Sequence, residues 1–277
     1  MSHPRHLLDR YALFPKKSLG QNFLFDPNAL QKIAQIAEVG PEDTILEIGT
    51  GLGSLTKVLA PQSQQVHTVE VDERFGPLLR EEFEDYENIR LHWGDILQLD
   101  LTKILAGRPY KVVANLPYYI TSAILRKLLE SPHKPQSLTV MVQKQVAERL
   151  VAKPDDMSIL SVSVQFYGDP KIKMTLKPQV FFPRPDVDSA VVHLEVAAQN
   201  PLGVGPRDEG KFFELVRAGF GQKRKQLKNS LASNLPLGDE QVAAILAAAG
   251  IDGTRRAETL QLQEWAAMTQ AYLALSA

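Results

Sequence analysis

Thr44-Ile45-Leu46-Glu47-Ile48-Gly49-Thr50-Gly51-Leu52-Gly53 decides the fold. A short, largely apolar run passes without a turn former into three glycines spaced by one residue, and Ser54–Ala60 then resumes helical spacing. Strand, glycine loop and helix in that order form the first half of a nucleotide-binding βαβ unit. Glycines let the backbone approach a ligand, and the N–H groups at a helix start attract a carboxylate or phosphate. Val66–Val71 reads as the second strand, with Glu70 near its end, where a carboxylate can accept from ribose hydroxyls. The loop alone leaves a dinucleotide enzyme and a methyltransferase both open. Two residues favour the methyltransferase. Glu47, just ahead of the loop, would repel a pyrophosphate but tolerates a cofactor without phosphates. Asp95, after the third strand Ile89–Trp93, can accept from an adenine amino group beside the apolar Ile96. S-adenosylmethionine therefore fits better than a dinucleotide.

Working outward, further strands are expected at Tyr110–Ala114, Leu138–Val142, Leu160–Phe166 and Ala190–Val196, with Lys171–Leu176 a short extended stretch between the last two. Helical spacing marks Pro27–Glu38, Phe75–Tyr86, Ser122–Leu129 and Gln143–Ala152. Asp26-Pro27 supplies an N-cap with proline at the first helical position. Strands alternating with helices predict an α/β fold with a mostly parallel sheet of about seven strands, the last ones antiparallel. Asn200–Pro206 reads as a linker, and Lys211–Gly219, Arg224–Ser233, Asp239–Ala249 and Leu262–Leu275 as helices. The expected domains are 1–200, with a basic N-terminal segment, and a small all-helical 201–277.

Ala114-Asn115-Leu116-Pro117-Tyr118-Tyr119 leaves the fourth strand directly. An amide, a proline-fixed turn carbonyl near Leu116 and a flat ring suit a planar amine. The Asn115 oxygen and the turn carbonyl can accept its two hydrogens while Tyr118 stacks on the ring that bears it. The alternative is an ordinary turn, since Asn and Pro are common turn formers.

Composition is that of a soluble globular chain, 44% hydrophobic and 23% charged over 277 residues. The absence of cysteine excludes disulfides, thiolate catalysis and Cys-ligated zinc. The six histidines show no metal spacing, so no metal is expected. No apolar run reaches membrane-spanning length and no signal-peptide core is seen, so a cytoplasmic protein without membrane association is expected. The net charge of −1 hides an asymmetry: residues 38–100 carry 14 acidic and 4 basic side chains, leaving the remainder net basic. Basic residues gather at Lys16-Lys17, at Lys144 with Arg149, and between Arg217 and Lys228, where Arg217, Lys223, Arg224, Lys225 and Lys228 have no acid among them. Such patches suit a polyanion.

The ordered motifs extend these readings. Lys17-x-Leu19-Gly20-Gln21-Asn22-Phe23-Leu24, Glu47-Ile48-Gly49-x-Gly51-x-Gly53, Glu70-x-Asp72, Gly94-Asp95, Asn115-Leu116-Pro117-Tyr118-Tyr119, Gln143-Lys144-x-Val146-Ala147-Glu148-Arg149 and Phe181-x-Pro183-x-Pro185-x-Val187-Asp188-Ser189 follow one another in this chain. Together they resemble the small-subunit ribosomal RNA adenine dimethyltransferases. The resemblance implies a Rossmann-like class I methyltransferase that dimethylates the exocyclic N6 of two adjacent adenosines near the 3′ end of small-subunit rRNA, acting on a pre-30S particle during ribosome biogenesis. It implies Asn22, Leu24, Gly49, Glu70, Asp95 and Asn115 as cofactor contacts, to which Gln21, Glu47, Gly51 and Ile96 are added here. Asn115, Leu116, Pro117 and Tyr118 are the expected catalytic set, with Phe181 as the second face of a base sandwich. RNA contacts are expected at the basic residues named above, and a monomer is expected. Asp186 and Asp155–Ile159 depart from the family pattern, on loops expected to face RNA. An RNA-binding assembly or transcription factor that kept the fold without the chemistry is the alternative.

Overall fold

The computed structural model describes residues 3–276. Among the described residues nine strands follow in chain order: β1 Phe23–Leu24, β2 Thr44–Ile48, β3 Gln65–Glu70, β4 Ile89–Trp93, β5 Lys111–Asn115, β6 Ser137–Gln143, β7 Lys171–Leu176, β8 Phe181–Phe182 and β9 Ser189–Glu195. Seven of them form one sheet in the order β4-β3-β2-β5-β6-β9-β7. β4 through β6 pair in parallel, while β9 runs antiparallel to both β6 and β7. Every residue of β2 is buried, as a central strand covered by helices on both faces requires. The sheet is wound outward from β2 in two directions, so β2 and β5, adjacent in space, send their chains to opposite sides. That is where a crevice opens at the strand ends.

Helices close the sheet through local signals. The Pro27–Ile36 helix begins at Asp26, whose carboxylate accepts from the Ala29 amide at 2.7 Å, satisfying one of the orphan donors of its first turn. Its Leu30, Ile33 and Ala34 pack with Leu55 and Leu59 of the next helix and with Ile45, Val66, Val113 and Val191 of the sheet. A second cluster joins Phe23, Leu52, Phe75, Leu78 and Leu79 to Leu7 and Leu8 of the Pro4–Arg10 helix.

Two sequence expectations are corrected. Residues 160–166 are not a strand: Ile159–Gln165 is a helix, and β7 at Lys171–Leu176 supplies the seventh strand instead. The alternation Leu-Ser-Val-Ser-Val imitates a half-buried strand, but Ser161 and Ser163 are buried along with the apolar residues, so the period carried no information about faces. Ser158 and Ser161 form a capping box that starts the helix. β7, exposed along most of its length and carrying Lys171 and Lys173, is an edge strand.

The chain divides into two compact units, but not by a single cut near residue 200. One contains the chain up to Ala147 and Pro170–Val196, the other Glu148–Asp169 and the chain from Ala197 onward. The second unit is helical. Its core holds Trp265, fully buried, with Phe220 stacked on it at 5.6 Å. Gly219 is required there, because a Cβ would come within 2.5 Å of the indole. Among the described residues no helix is long and apolar enough to cross a membrane.

Candidate active site

One cleft at the carboxyl ends of the parallel strands is lined by Gln21, Asn22, Gly49, Gly51, Glu70, Asp95, Ile96 and Asn115 to Tyr118. Thus residues from five separate stretches, all expected from sequence, come together. The glycine loop turns through left-handed backbone, with φ of 82° at Gly49 and 55° at Gly51. At Gly51 a Cβ would also lie 3.1 Å from the Phe23 ring, so close packing as well as conformation excludes a side chain.

Glu70 is held from three sides. Its Oε2 accepts from the Gly51 amide at 2.8 Å, and its Oε1 from the amides of Val71 and Asp72 at 3.0 and 2.9 Å. The carboxylate is thereby fixed toward the cleft, with lone-pair capacity left for a hydroxyl donor. Burial raises its pKa, opposed by these three amides. Asp95 follows β4, accepts from the Leu97 amide at 2.9 Å, and stands beside buried Ile96. A ribose at Glu70 and an adenine at Asp95 and Ile96 fit these acceptors, and no cationic side chain of the loop calls for a pyrophosphate.

Glu47 and Leu24 do not line the main cleft. Both border a smaller cavity beneath the glycine loop, which shares Asn22, Gly49 and Asn115 with the cleft. Glu47 is 1% exposed and accepts from Thr56 Oγ1 at 2.5 Å and Thr68 Oγ1 at 3.0 Å. Burial pushes its carboxyl up to about 8, against the pull of the two hydroxyls. Burial thus favours its protonated form under the loop. Leu24 pairs with Phe181 across the small β1–β8 sheet and belongs to the core.

The turn after β5 presents its acceptors through its own hydrogen bonds. The Asn115 side-chain amide donates to the Asn22 carbonyl at 3.2 Å, which fixes its orientation. Leu116 is buried and its N–H donates to the Met141 carbonyl at 3.0 Å, locking the turn onto β6. The Pro117 carbonyl accepts from Thr121 Oγ1 at 3.1 Å. The Tyr118 hydroxyl meets Ser189 Oγ at 2.7 Å, and burial raises the phenol pKa. The ring is therefore tethered at its far end.

Phe181 is corrected. It is 1% exposed and packs with Leu24, Leu30, Met141 and Val191 in the core, so it offers no face to a ligand. Strand alternation turns its neighbour Phe182 the other way, onto His3 and under the Arg5 guanidinium.

Sequence reasoning missed Asp72. It is 3% exposed and accepts from Arg74 at 2.8 and 2.6 Å and from Gln21 Nε2 at 2.9 Å, with Lys16 Nζ at 3.5 Å. The Arg74 hydrogen bonds hold its carboxyl well below the usual range. Gln21 and Lys16 thus fasten the N-terminal segment to the end of β3. The Glu70-x-Asp72 spacing was the available signal, since a residue two after a strand-end acid stays at the same end of the sheet. Ser189 carried no such signal, lying 71 residues from its partner.

Arg217, Lys223, Arg224, Lys225 and Lys228 are all exposed, as are Lys17, Lys144 and Arg149. Lys223–Lys225 lie on the connection between the Glu209–Phe220 and Leu227–Asn234 helices, so Arg224 and Lys225 are not inside a helix as expected. Among the described residues no group of three or more His, Asp or Glu could hold a metal ion.

Comparison with known proteins places this geometry. Residues 14–270 match the family model of the ribosomal RNA adenine dimethylases. A ribosomal RNA small subunit methyltransferase A of Dehalococcoides mccartyi is 46% identical over 266 residues, covering 96% of this chain and 91% of the relative. That of Geobacillus kaustophilus is 43% identical over 277 residues, covering 96% and 94%. Among solved structures, the 23S rRNA methyltransferase ErmE superposes with a TM-score of 0.70 at 27% identity, covering 90% of this chain and 99% of that one. A dimethyladenosine transferase from Plasmodium falciparum, at 0.74 and 24% identity over 89% and 95%, shows the same fold. With the glycine loop, Glu70, Asp95 and the Asn115–Tyr118 turn assembled in one cleft and the family model spanning nearly its whole length, the chain belongs to the ribosomal RNA adenine dimethylase family.

Proposed function

We propose that this protein uses S-adenosylmethionine to methylate the exocyclic N6 of two adjacent adenosines near the 3′ end of small-subunit rRNA, twice on each. The observation that carries the reading is the Asn115 amide, anchored through its N–H on the Asn22 carbonyl in the cleft it shares with Tyr118. An acceptor fixed in that way selects an amine. The small-subunit substrate is favoured over the large by relatives named for the small subunit at 46% and 43% identity, against 27% for the 23S enzyme.

S-adenosylmethionine, bound with its ribose on Glu70 and its adenine by Asp95 and Ile96, supplies an electrophilic methyl group. The rest is positioning. Tyr118, tethered by Ser189, gives the flipped adenine a stacking face. Asn115 Oδ1 and the Leu116 carbonyl accept the amine hydrogens, turn the nitrogen lone pair out of the ring system and face the positive charge that develops there. The released proton leaves to solvent. A second methylation requires one of these hydrogens to be dispensable, which a leucine at 116 accommodates.

The exposed cations of the run Arg217–Lys228, with Lys17, Lys144 and Arg149, dock the protein on rRNA phosphates. The protein acts as a cytoplasmic monomer on a pre-30S particle. Incubation with tritiated cofactor and under-methylated small subunits, followed by mapping of the label, tests the reading. Label is expected on N6 of two neighbouring adenosines near the 3′ end; label confined to another base or to large-subunit RNA overturns it.

A further inference from the structure

Tyr118 and Tyr119 are consecutive but treated oppositely by the fold. Tyr118 points inward, its hydroxyl 2.7 Å from fully buried Ser189. Tyr119 is 57% exposed, among the largest exposed apolar surfaces of the chain, yet it borders the same cleft. It is not a loose side chain. Its ring lies beside Gly20, where a Cβ would stand 3.6 Å from Tyr119 Cδ1, so the N-terminal segment braces the ring from one side. Gly20 itself has φ of 62°, which keeps that position free of a side chain that would cover the ring. Exposed Lys17 and Ser18 precede it in the same segment. A braced, half-bare aromatic ring at the mouth of a base-sized cleft, next to a basic segment, has the make-up of a stacking platform for single-stranded nucleic acid.

We propose that Tyr119 stacks on the nucleobase adjacent to the one being methylated. The inference rests on the function proposed above and deepens it. Extruding one adenine from its stack leaves its neighbour without a partner on that side, and a second ring one residue away along the chain supplies it. The ligand is an unpaired purine whose plane, not its hydrogen-bonding edge, is recognised. Tyr119 therefore holds one of two successive adenosines while the other occupies the pocket, and the roles exchange when the RNA advances by one nucleotide.

The test compares wild-type protein with Tyr119→Ala, Tyr119→Phe and Tyr119→Trp, using under-methylated small subunits that are intact or carry an abasic residue in place of the neighbouring adenosine. On intact particles Tyr119→Ala is expected to raise the KM roughly tenfold, the scale of removing one base–aromatic stack. The kcat for the first methyl should stay within about twofold, while the Phe and Trp variants stay near wild type. On abasic particles wild type and Tyr119→Ala should become equal. Cofactor affinity and melting temperature should not move, since the residue is exposed and belongs to neither core cluster. An unchanged KM on intact particles, or the same relative loss on abasic ones, overturns the proposal. Failure of the wild-type protein to methylate intact particles would instead overturn the functional reading on which it rests.

Discussion

The cleft at the ends of β2, β3 and β5 and the basic run Arg217–Lys228 are both proposed to meet RNA or its cofactor, yet they are built on opposite principles. In the cleft the polar groups are committed: Glu70 to three amides, Asn115 to the Asn22 carbonyl, Tyr118 to Ser189. In the basic run five cations stand exposed on and around a short connection. The difference shows what each can deliver. Fixed dipoles in a desolvated site discriminate between substrates and between states along a reaction, because they cost no reorganisation when charge develops. Mobile surface charges attract a polyanion of any sequence, and salt weakens them.

The comparison breaks most readily at Asn115. Asn115→Ala is expected to lower the methylation rate by about 10²–10³-fold, the scale for removing one oriented polar group from a developing charge. Cofactor affinity should fall far less. Measuring both side by side decides the matter: equal losses would make Asn115 a cofactor ligand and not the group that orients the amine.

A second effect concerns the buried acid under the glycine loop. Glu47 has its carboxyl raised by burial to about 8 from an ordinary value of 4.5. The folded state then holds a proton that the unfolded chain has released, so stability is fully present below about pH 4.5 and declines as pH rises through 8. Across pH 5 to 8 this single group should contribute a loss of a few kcal/mol. Glu47→Gln, neutral at every pH, should unfold in urea with a flatter pH profile than wild type. Parallel profiles would mean that Glu47 is already ionised in the folded protein.

The smallest effect is expected from the surface. Replacing Lys223, Arg224 and Lys225 with alanine should weaken small-subunit binding about tenfold and reduce the slope of log affinity against log salt by about 2, at roughly 0.7 to 0.9 for each phosphate no longer neutralised. Cofactor affinity and the rate at saturating RNA should stay as they were. An unchanged slope would place the RNA on the cations of the other unit, Lys17 and Lys144.

The glycine loop, Glu70, Asp95 and the Asn115–Tyr118 turn were legible because each is local. A strand that ends in glycines, or in Asn-x-Pro-Tyr, carries its own geometry, and a parallel α/β sheet brings all such strand ends to one side. By itself, therefore, the sequence determined the doubly wound sheet, its active end and the chemistry of the ligands that would suit it. The seventh strand was misassigned because Leu160–Val164 alternates like a strand while being buried on every side, a fact about its surroundings and not about its pattern. Phe181 was misread for a related reason. A two-residue strand has no period, and only its pairing with Leu24, more than 150 residues earlier, turns its ring into the core. The same holds for Ser189 behind Tyr118 and Asp72 beneath Gln21 and Lys16. Those pairs join stretches that no local rule connects, and so tertiary packing alone decided which groups touch the ligand and which hold in place the groups that do.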